Sequence, residues 1–476
     1  MPTMPLRERY YENMEDRRKS RSRSIIEKAY EKPYQLRSSH KYPATRSSKR
    51  LRRGSSGTRT SRYSDEKCIR SKKRSQHDSR RSTDRKTSRD LSCSRTSHST
   101  SCNNNNNNNT QRRCSKKSSP TRHDSTSSKI KNDEEGHLVY RVGDRLHERR
   151  YKIYGLLGEG TFGKVLECHD RKHDRQVAIK IIKNKKKYRE AAKLEIEVFK
   201  QLRKNDPDGK HNCIKCYGTF RHGGHVCLIF PKLGKSVFEF MKDNDYQPYT
   251  LKQVQHIAYQ LLDSVCFLHK IKLTHTDLKP ENMLFVNSSS RSIWSENARQ
   301  NIKILDHCDV QLIDFGSATF EHEHHSRIVS TRHYRAPEVI LELGWSYPCD
   351  VWSCGCIIFE LYTGDALFRT HDNLEHLAMM ERILGKLPKK MMKASDKQKY
   401  FRDGVLDWDE KDHNGQFVKT NCVPLRETFN SDDRRATEEL YHLVDRLLTY
   451  TPEDRLTAKE ALSHPFFSED ISARKK

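Results

Sequence analysis

Residues 1–132 contain no valine, phenylalanine or tryptophan, three of the residue types that commonly fill a protein core. A segment this poor in large apolar groups cannot offset the entropy lost in ordering its backbone, so we expect it to be disordered. The chain also has no apolar run near the roughly 18–20 residues that a membrane-spanning helix needs. Its first residues lack the apolar stretch of a secretory signal. These absences predict a soluble, intracellular protein with no membrane association.

The positive charge of the chain is concentrated in the same segment. The 476 residues include 91 Lys and Arg against 63 Asp and Glu, a net charge of +28. Residues 1–132 hold 36 of those basic and 12 of those acidic residues, so the rest of the chain is nearly neutral. Arg and Ser recur side by side, as at 21–24 and 79–82, and seven asparagines interrupt them at 103–109. The segment is either a solvated linker or a region that is phosphorylated or binds acidic partners such as RNA.

Two further features concern the compartment. Basic clusters at residues 49–53 and 72–74 are typical of nuclear import signals, so we predict a nuclear location. Fourteen scattered cysteines suit a reducing environment. Cys213 and Cys216 have the spacing of a metal or redox pair, but no second pair follows at a suitable distance. We interpret them as small apolar residues of a core.

The sequence pattern changes near residue 135 from polar to periodic. Three apolar strands are predicted between 151 and 182, followed by a helix at 188–203. Longer helical periods follow at 252–269 and 436–449. The pattern indicates an α+β protein in which a small strand-rich lobe precedes a larger helix-rich one. The predicted divisions are a disordered basic tail at 1–134, an extended lead-in at 135–150, a folded domain at 151–467 with lobes at about 151–232 and 233–467, and a C-terminal tail at 468–476.

A glycine-rich turn joins the first two predicted strands at residues 158–165, Gly-Glu-Gly-Thr-Phe-Gly-Lys-Val. Glycines let backbone amides approach a polyphosphate without a Cβ atom in the way. The spacing alone is equally typical of a dinucleotide site. A dinucleotide turn, however, runs from a strand into a helix, whereas this turn runs from strand to strand. The context therefore favours a hairpin that covers phosphates.

Ionisable residues follow at intervals that suggest phosphate chemistry. Lys180 ends an apolar strand, where a lysine either reaches solvent or meets a partner, and Glu195 on the predicted helix is a plausible ion-pair partner. In residues 275–282, Asp277 can accept a hydroxyl proton and Lys279 can neutralise a phosphate. Asn282 and Asp314 offer the oxygen ligands that Mg²⁺ prefers. Each residue alone could be a surface residue or helix cap, but the elements occur in a consistent order.

Together these segments resemble the signature set of the eukaryotic protein kinases, including Val-Ala-Ile-Lys at 177–180, Asp-Phe-Gly at 314–316 and Ala-Pro-Glu at 336–338. The resemblance covers about 151–467. Residues 375–385, Glu-His-Leu-Ala-Met-Met-Glu-Arg-Ile-Leu-Gly, are identified as the signature of the LAMMER, or CDC-like, dual-specificity kinases of the CMGC group. The same segment also has the period of an amphipathic helix, with Leu377, Met380 and Leu384 on one face.

The resemblance implies a bilobal protein kinase fold, with ATP and Mg²⁺ as cofactors. It implies that Asp277, Lys279, Lys180, Glu195 and Thr331 are the catalytic residues, with Asn282 and Asp314 on the metal. It further implies that Glu338 pairs with Arg455. The nucleotide site implied by the resemblance consists of Leu157, Gly158, Glu159, Gly160, Thr161, Phe162, Gly163, Lys164, Val165, Ala178, Lys180, Phe230, Leu233, Glu239, Asn282 and Asp314.

Three departures from the general kinase pattern have consequences. Thr276 replaces the arginine that pairs with a phosphorylated activation loop in many kinases, so activity should not require an activating kinase. Thr331 is then expected to hydrogen-bond Asp277 and Lys279. Pro231 and Lys232 stand in the hinge where an acidic residue and a leucine are expected, but the Pro231 carbonyl and the Leu233 amide remain for adenine. The polar insertion between Phe285 and Val310 is predicted to be a surface element.

The expected function is ATP-dependent phosphorylation of Ser and Thr, with Tyr modified mainly by autophosphorylation. The resemblance implies that the substrates are arginine/serine-rich splicing factors and that pre-mRNA splicing is regulated, and we expect a monomeric kinase domain. One alternative is a pseudokinase-like scaffold, which the intact Lys180, Asp277 and Asp314 oppose. The other is a protein that binds RNA or splicing factors through its tail. Since no aromatic nucleic-acid module accompanies the tail, RNA contact there should be nonspecific.

Overall fold

Alternating apolar residues between 151 and 182 form the three strands that the sequence predicts. The computed structural model describes residues 131–296, 298–429 and 434–468, and the predictions for 1–130 and 469–476 lie outside these ranges. The strands belong to a six-stranded antiparallel sheet with the order β1-β2-β3-β4-β6-β5. Its members are β1 (Arg145–Leu146), β2 (Tyr151–Gly160), β3 (Gly163–Asp170), β4 (Arg175–Ile182), β5 (Gly218–His222) and β6 (His225–Pro231).

The two faces of this sheet carry different residues. Leu166, Ile179 and Ile229 lie opposite one another in the ladder and are buried in a separate core on one face. Because successive side chains of a strand alternate between faces, Val165 and Lys180 lie on the other face. That pair is in direct register. Lys180 therefore lies on the face of the sheet opposite to the core that contains Leu166, Ile179 and Ile229.

Helix α1 (Lys186–Asn205) follows the sheet and confirms the helix predicted at 188–203. Its buried positions recur at helical spacing and include Ala192, Val198, Phe199 and Leu202. Glu195 is buried among them, with 5% of its surface exposed. A carboxylate so placed needs a charged partner, because an unpaired buried charge is strongly unfavourable.

The larger lobe is mainly helical, as predicted. Helix α3 (Leu251–Lys270) and helix α5 (Pro348–Thr363) lie at its centre and pack against each other. Thr250 caps α3 through a reciprocal pair of hydrogen bonds with Gln253. The remaining helices in the described residues are α2 (Val237–Lys242), α4 (Pro337–Ile340), α6 (Asn373–Leu384), α7 (Lys389–Ala394), α8 (His413–Asn421), α9 (Leu425–Thr428), α10 (Arg434–Leu447) and α11 (Ala458–Ala461). Within the described ranges, none of the helices is long and apolar enough to cross a membrane.

Short antiparallel pairs fix the loops between these helices. Strand β7 pairs with β12 and β8 pairs with β11, while β9 with β10 and β13 with β14 form hairpins. Their bounds are β7 (Leu273–Thr274), β8 (Met283–Phe285), β9 (Ser290–Ser295), β10 (Gln300–Leu305), β11 (Val310–Leu312), β12 (Thr319–Phe320), β13 (Phe401–Arg402) and β14 (Val405–Leu406).

The insertion between Phe285 and Val310 is the β9–β10 hairpin. Its prediction as a surface element is confirmed, since Ile293 and Trp294 are largely exposed. The side chain of Asn244 holds the hairpin by accepting a hydrogen bond from the Lys303 amide and donating one to its carbonyl, at 2.7 and 3.0 Å.

Helix α6 contains most of the eleven-residue signature. Leu377 and Met380 are fully buried and Leu384 is half-buried, which confirms the predicted apolar face. His376 is also fully buried, and burial holds its pKa well below the usual range, so the ring is neutral. The sequence period did not distinguish this histidine from a surface residue.

Two further sequence interpretations concern core residues. Arg455 donates to both carboxylate oxygens of Glu338 at 2.8 and 2.9 Å, and this buried pair confirms the expected one. Cys213 is buried and Cys216 half-buried, and burial raises the pKa of both thiols, as suits small core residues.

Acid should destabilise the fold through buried histidines. Burial and nearby His442 lower the pKa of His464 from 6.5 to about 4. Between these two pKa values His464 is protonated in the unfolded chain but neutral in the folded chain. The free energy of unfolding therefore falls as the pH drops from 6.5 towards 4. We expect His464→Asn, which retains an acceptor for the Phe466 amide, to lose less stability than the parent between pH 7 and pH 5, by on the order of 1 kcal/mol after solvent screening.

The measurement is the apparent free energy of unfolding from urea titrations at both pH values. His413→Asn, at an exposed histidine, serves as the control. An equal pH dependence in the parent and His464→Asn would contradict the assignment.

Candidate active site

The glycine-rich turn between β2 and β3 has two kinds of glycine. A Cβ atom at Gly158 or Gly160 would meet no heavy atom within 4 Å. A Cβ atom at Gly163 would lie 2.0 Å from the carbonyl oxygen of Ile181. Gly163 is thus required by the packing of β3 on β4, whereas the other two leave open space beside the backbone. That space suits the close approach of a ligand's phosphates.

Lys180 lies between two carboxylates. Its ammonium nitrogen is 2.7 Å from Glu195 on α1 and 3.1 Å from Asp314, which confirms the predicted ion pair with Glu195. Burial opposes the charge of Lys180, but the two carboxylates outweigh it and raise its pKa. Lys180, with Lys279 beyond it, lowers the pKa of Asp314 to about 2. Both groups are therefore ionised at neutral pH.

Asp314 begins the segment that follows β11. Its φ of 61° lies in the left-handed region, and 42% of its side chain is exposed. The next residue, Phe315, packs its ring at 5.6 Å from Phe199 of α1 and 5.2 Å from His275. This contact, which no sequence pattern indicated, links helix α1 of the small lobe to the loop that contains Asp277.

That loop brings four predicted residues together. Thr331 donates its hydroxyl to Asp277 at 2.6 Å, and Lys279 donates to Asp277 at 2.7 Å and to Thr331 at 3.2 Å. The contacts expected for Thr331 are therefore confirmed. Asn282 donates its amide to the Asp277 carbonyl at 2.8 Å. These contacts leave the exposed part of Asp277 beside a lysine and a hydroxyl, which is the setting of a group that handles a hydroxyl proton.

Asp350 of α5 holds the backbone of the same loop through hydrogen bonds. Its carboxylate accepts hydrogen bonds from the amides of His275 and Thr276 at 2.8 and 2.9 Å, and His269 lies 3.2 Å away. Thr276 has a φ of 66°, and its hydroxyl donates to the Ser317 carbonyl at 2.8 Å. The threonine that replaces the usual arginine is thus bonded within the fold.

The remaining predicted nucleotide residues lie mostly in the sheet of the small lobe. Leu157, Glu159, Thr161, Phe162, Lys164 and Val165 belong to the β2–β3 hairpin. Ala178 pairs with Phe230 in the ladder, and Leu233 follows shortly after the end of β6. Glu239 is different, because it lies in the first turn of α2. There it accepts hydrogen bonds from the amide and hydroxyl of Ser236 at 2.8 and 3.1 Å. Its contact with a ribose stays a prediction, and its observed role is to cap α2.

The hinge contains a contact that the sequence did not indicate. Pro231 ends β6 opposite Val177 and has no amide to donate. Lys232 reaches back to the sheet, where its ammonium lies 2.6 Å from Glu167 of β3 and 3.2 Å from Gln176. Glu167 pairs with Ala178 in the ladder. The ion pair therefore ties the hinge to the strands that border the cleft.

The donor set for a metal consists of Asn282 and Asp314. Asp314 is ionised, and Asn282 uses its amide nitrogen on the Asp277 carbonyl, which leaves its amide oxygen for a ligand. One carboxylate and one amide oxygen, completed by phosphates, fit a hard divalent cation. The residues present therefore fit the implied metal.

A glycine hairpin, a paired lysine, and an aspartate–lysine–threonine cluster in a two-lobed fold define a protein kinase. Residues 151–467 match the family profile of the protein kinase domain. A crystal structure of a kinase domain superposes with a TM-score of 0.64 at 35% identity, covering 70% of this chain and 100% of that chain. The chain belongs to the protein kinases. Proteins of this family use ATP and a divalent metal.

Relatives place it more narrowly. The chain is 55% identical to dual specificity protein kinase CLK2 of Mus musculus over 343 residues, which cover 72% of this chain and 68% of that protein. It is 55% identical to serine/threonine-protein kinase Doa of Drosophila melanogaster, with coverages of 71% and 41%. It is 50% identical to dual specificity protein kinase CLK1 of Homo sapiens, with coverages of 71% and 70%. Within the kinases, the chain is a member of the CDC-like, or LAMMER, dual-specificity group.

The Lys232–Glu167 pair should affect nucleotide binding. Because the pair is partly exposed, we expect Lys232→Met to raise the KM for ATP by about fivefold, equivalent to about 1 kcal/mol, with a smaller change in kcat. Lys232→Glu should be worse, since it places two carboxylates together. The double variant Lys232→Glu/Glu167→Lys should recover most of that loss.

Steady-state kinetics with varied ATP provide the measurement. The matched control is Lys235→Met, which removes a lysine just beyond the hinge whose partner, Asp243, lies on the exposed surface. If the charge-swapped chain is no better than Lys232→Glu alone, the pair does not position the hinge.

Proposed function

We propose that this chain transfers the γ-phosphate of ATP to Ser and Thr hydroxyls of proteins, and to Tyr mainly by autophosphorylation. The observation that supports this most directly is the contact of Asp277 with both Lys279 and Thr331. Asp277 orients the acceptor hydroxyl and takes its proton. Lys279 stabilises negative charge on the group in transit. The hydroxyl of Thr331 fixes the carboxylate of Asp277 for this task and favours Ser and Thr as acceptors.

Residues of the small lobe would position the nucleotide. Lys180, held by Glu195, would contact the phosphates of the nucleotide, the 158–165 hairpin would cover them, and the backbone of Pro231 and Leu233 would bind the adenine. Asn282 and Asp314 would hold Mg²⁺, which would neutralise charge on the phosphates when bound. The charged side chains of the site hold one another in place, through the contacts of Lys180 with Glu195 and Asp314 and of Lys279 with Asp277.

A phosphate on the activation segment is not needed for this arrangement. In its proposed role, Thr276 replaces the cation that would bind such a phosphate, and it is already bonded to Ser317. We therefore propose that the kinase is active without an upstream kinase. The names of CLK1 and CLK2 describe dual specificity in those relatives, which supports the same property here.

We propose arginine/serine-rich splicing factors as substrates, regulation of pre-mRNA splicing as the role and the nucleus as the location. The support is compositional, because residues 1–132 imitate such substrates and contain basic clusters. The kinase domain acts as a monomer, and any RNA contact of the tail is nonspecific. A pseudokinase scaffold is the second candidate. The presence and pairing of Lys180, Asp277 and Asp314 argue against it.

Phosphate transfer to an arginine/serine-repeat peptide tests the reaction. We expect Asp314→Asn to lower transfer from labelled ATP by at least about 100-fold, because the variant loses the charged metal ligand. Asp309→Asn, at an exposed aspartate near β11, should retain parental activity. Absence of transfer from the parent, with folding and ATP binding intact, would favour the scaffold.

Phosphorylation of the tail should change its charge and thereby its partners. Each phosphate adds about −1.5 to −2 charges at neutral pH, so about 12 to 16 phosphates would cancel the excess of basic residues in 1–132. Replacing the serines of this segment by alanine should therefore alter nuclear distribution and co-precipitation with splicing factors. Unchanged localisation and unchanged partner binding would refute a regulatory role for the tail.

A further inference from the structure

A cavity of about 160 Å³ lies on the small lobe and shares no residue with the active site. The turn between β1 and β2 and the turn between β3 and β4 form its rim, and strand β5 contributes to its wall. The two turns are joined by a hydrogen bond from the Arg171 amide to the Arg150 carbonyl, at 3.1 Å. The side chains that line the cavity include those of His147, Arg150, Asp170, His173, Arg175 and Tyr217.

The single carboxylate of this cavity is already neutralised. Asp170 is 1% exposed and accepts hydrogen bonds from Nε and Nη2 of Arg150, both at 2.7 Å. His173 lies 2.8 Å from it, and the Lys172 amide donates at 3.1 Å. Asp170 is therefore balanced by Arg150, and Arg175 is the second arginine that lines the cavity.

Arg175 lies over an aromatic ring. Its guanidinium carbon lies 3.9 Å from the centroid of Tyr217. Stacking of this kind fixes the guanidinium plane and leaves its N–H groups to bond in that plane. The Nε atom is buried and has no hydrogen-bond partner among the described residues. A buried donor without an acceptor is unfavourable, so the guanidinium of Arg175 has hydrogen-bonding capacity that the protein itself does not satisfy.

We propose that this cavity binds the phosphate group of a phosphoserine within an arginine/serine-rich segment. A phosphate offers several strong acceptors to a guanidinium fork, and arginine is the residue that matches it best. The rings of His147 and His173 line the same cavity. The exposed carboxylates of Glu148 and Asp174 lie on the same two turns and can pair with the arginines that flank the phosphoserine.

The site would retain the product of the proposed reaction beside the enzyme. It depends on the proposed function only for the origin of the phosphate, which is either a substrate protein or residues 1–132 of this chain. The binding itself can be measured with a synthetic peptide whether or not the chain is an active kinase.

The experiment uses the full chain after phosphatase treatment and a fluorescent Arg-phosphoserine repeat peptide, followed by anisotropy. We expect the unphosphorylated peptide to bind at least tenfold more weakly. Arg175→Gln should weaken binding of the phosphorylated peptide at least tenfold, and Arg175→Lys, which keeps the charge without the fork, should fall between. Arg171→Gln removes an exposed arginine from the same turn outside the cavity and should change binding less than twofold.

Equal losses in Arg175→Gln and Arg171→Gln would show that only the overall charge matters and would overturn the proposal. So would equal affinity for the two peptides. Melting temperatures of the variants, and their transfer of phosphate to an unprimed peptide, should equal those of the parent, which separates a binding defect from misfolding.

The source of the phosphate is distinguished in a second arm. If the tail is the ligand, the autophosphorylated chain should bind added peptide at least fivefold more weakly than the phosphatase-treated chain. If substrates are the ligand, the two forms should bind it equally, with the same loss in Arg175→Gln.

Discussion

The buried carboxylate of Asp350 is the constraint on which the active site depends. It accepts hydrogen bonds from two successive backbone amides, those of His275 and Thr276, and lies beside His269. These bonds hold Thr276 in the left-handed region, which a β-branched residue rarely adopts and which costs on the order of 1–3 kcal/mol. The turn so produced brings Asp277 against Thr331 and Lys279. A strained backbone is thus stabilised by a carboxylate that would itself be unfavourable if it had no donors.

The second organising feature is the pairing of charges across the cleft. Lys180 joins a strand, a helix and the segment after β11 through Glu195 and Asp314. Burial raises the pKa of Glu195, and the carboxylate is maintained by attraction to Lys180. The same lysine depresses the pKa of Asp314. One cation therefore favours the ionised form of two acids that lie on different elements, and it aligns these elements.

Two of the departures from the general kinase pattern, at Thr276 and at Pro231, are accompanied by a local contact of another kind. Thr276 lacks the charge of an arginine but bonds to the Ser317 carbonyl, which fastens the loop without phosphate. Pro231 lacks an amide, and the adjacent Lys232 supplies a side-chain bond to the sheet instead. In both positions the fold supplies a bond that the general kinase pattern does not predict.

Periodicity in the sequence determined the strands between 151 and 182 and the main helices, because burial of one face leaves a regular spacing of apolar residues. Residue chemistry also indicated the contact of Lys180 with Glu195, since both ends lie in recognisable elements. The bonds of Asp350 to a loop 75 residues away and of Lys232 to Glu167, 65 residues away, were decided by tertiary structure alone. So was the capping role of Glu239. Such contacts depend on which distant elements pack together, and a local pattern contains no information on that.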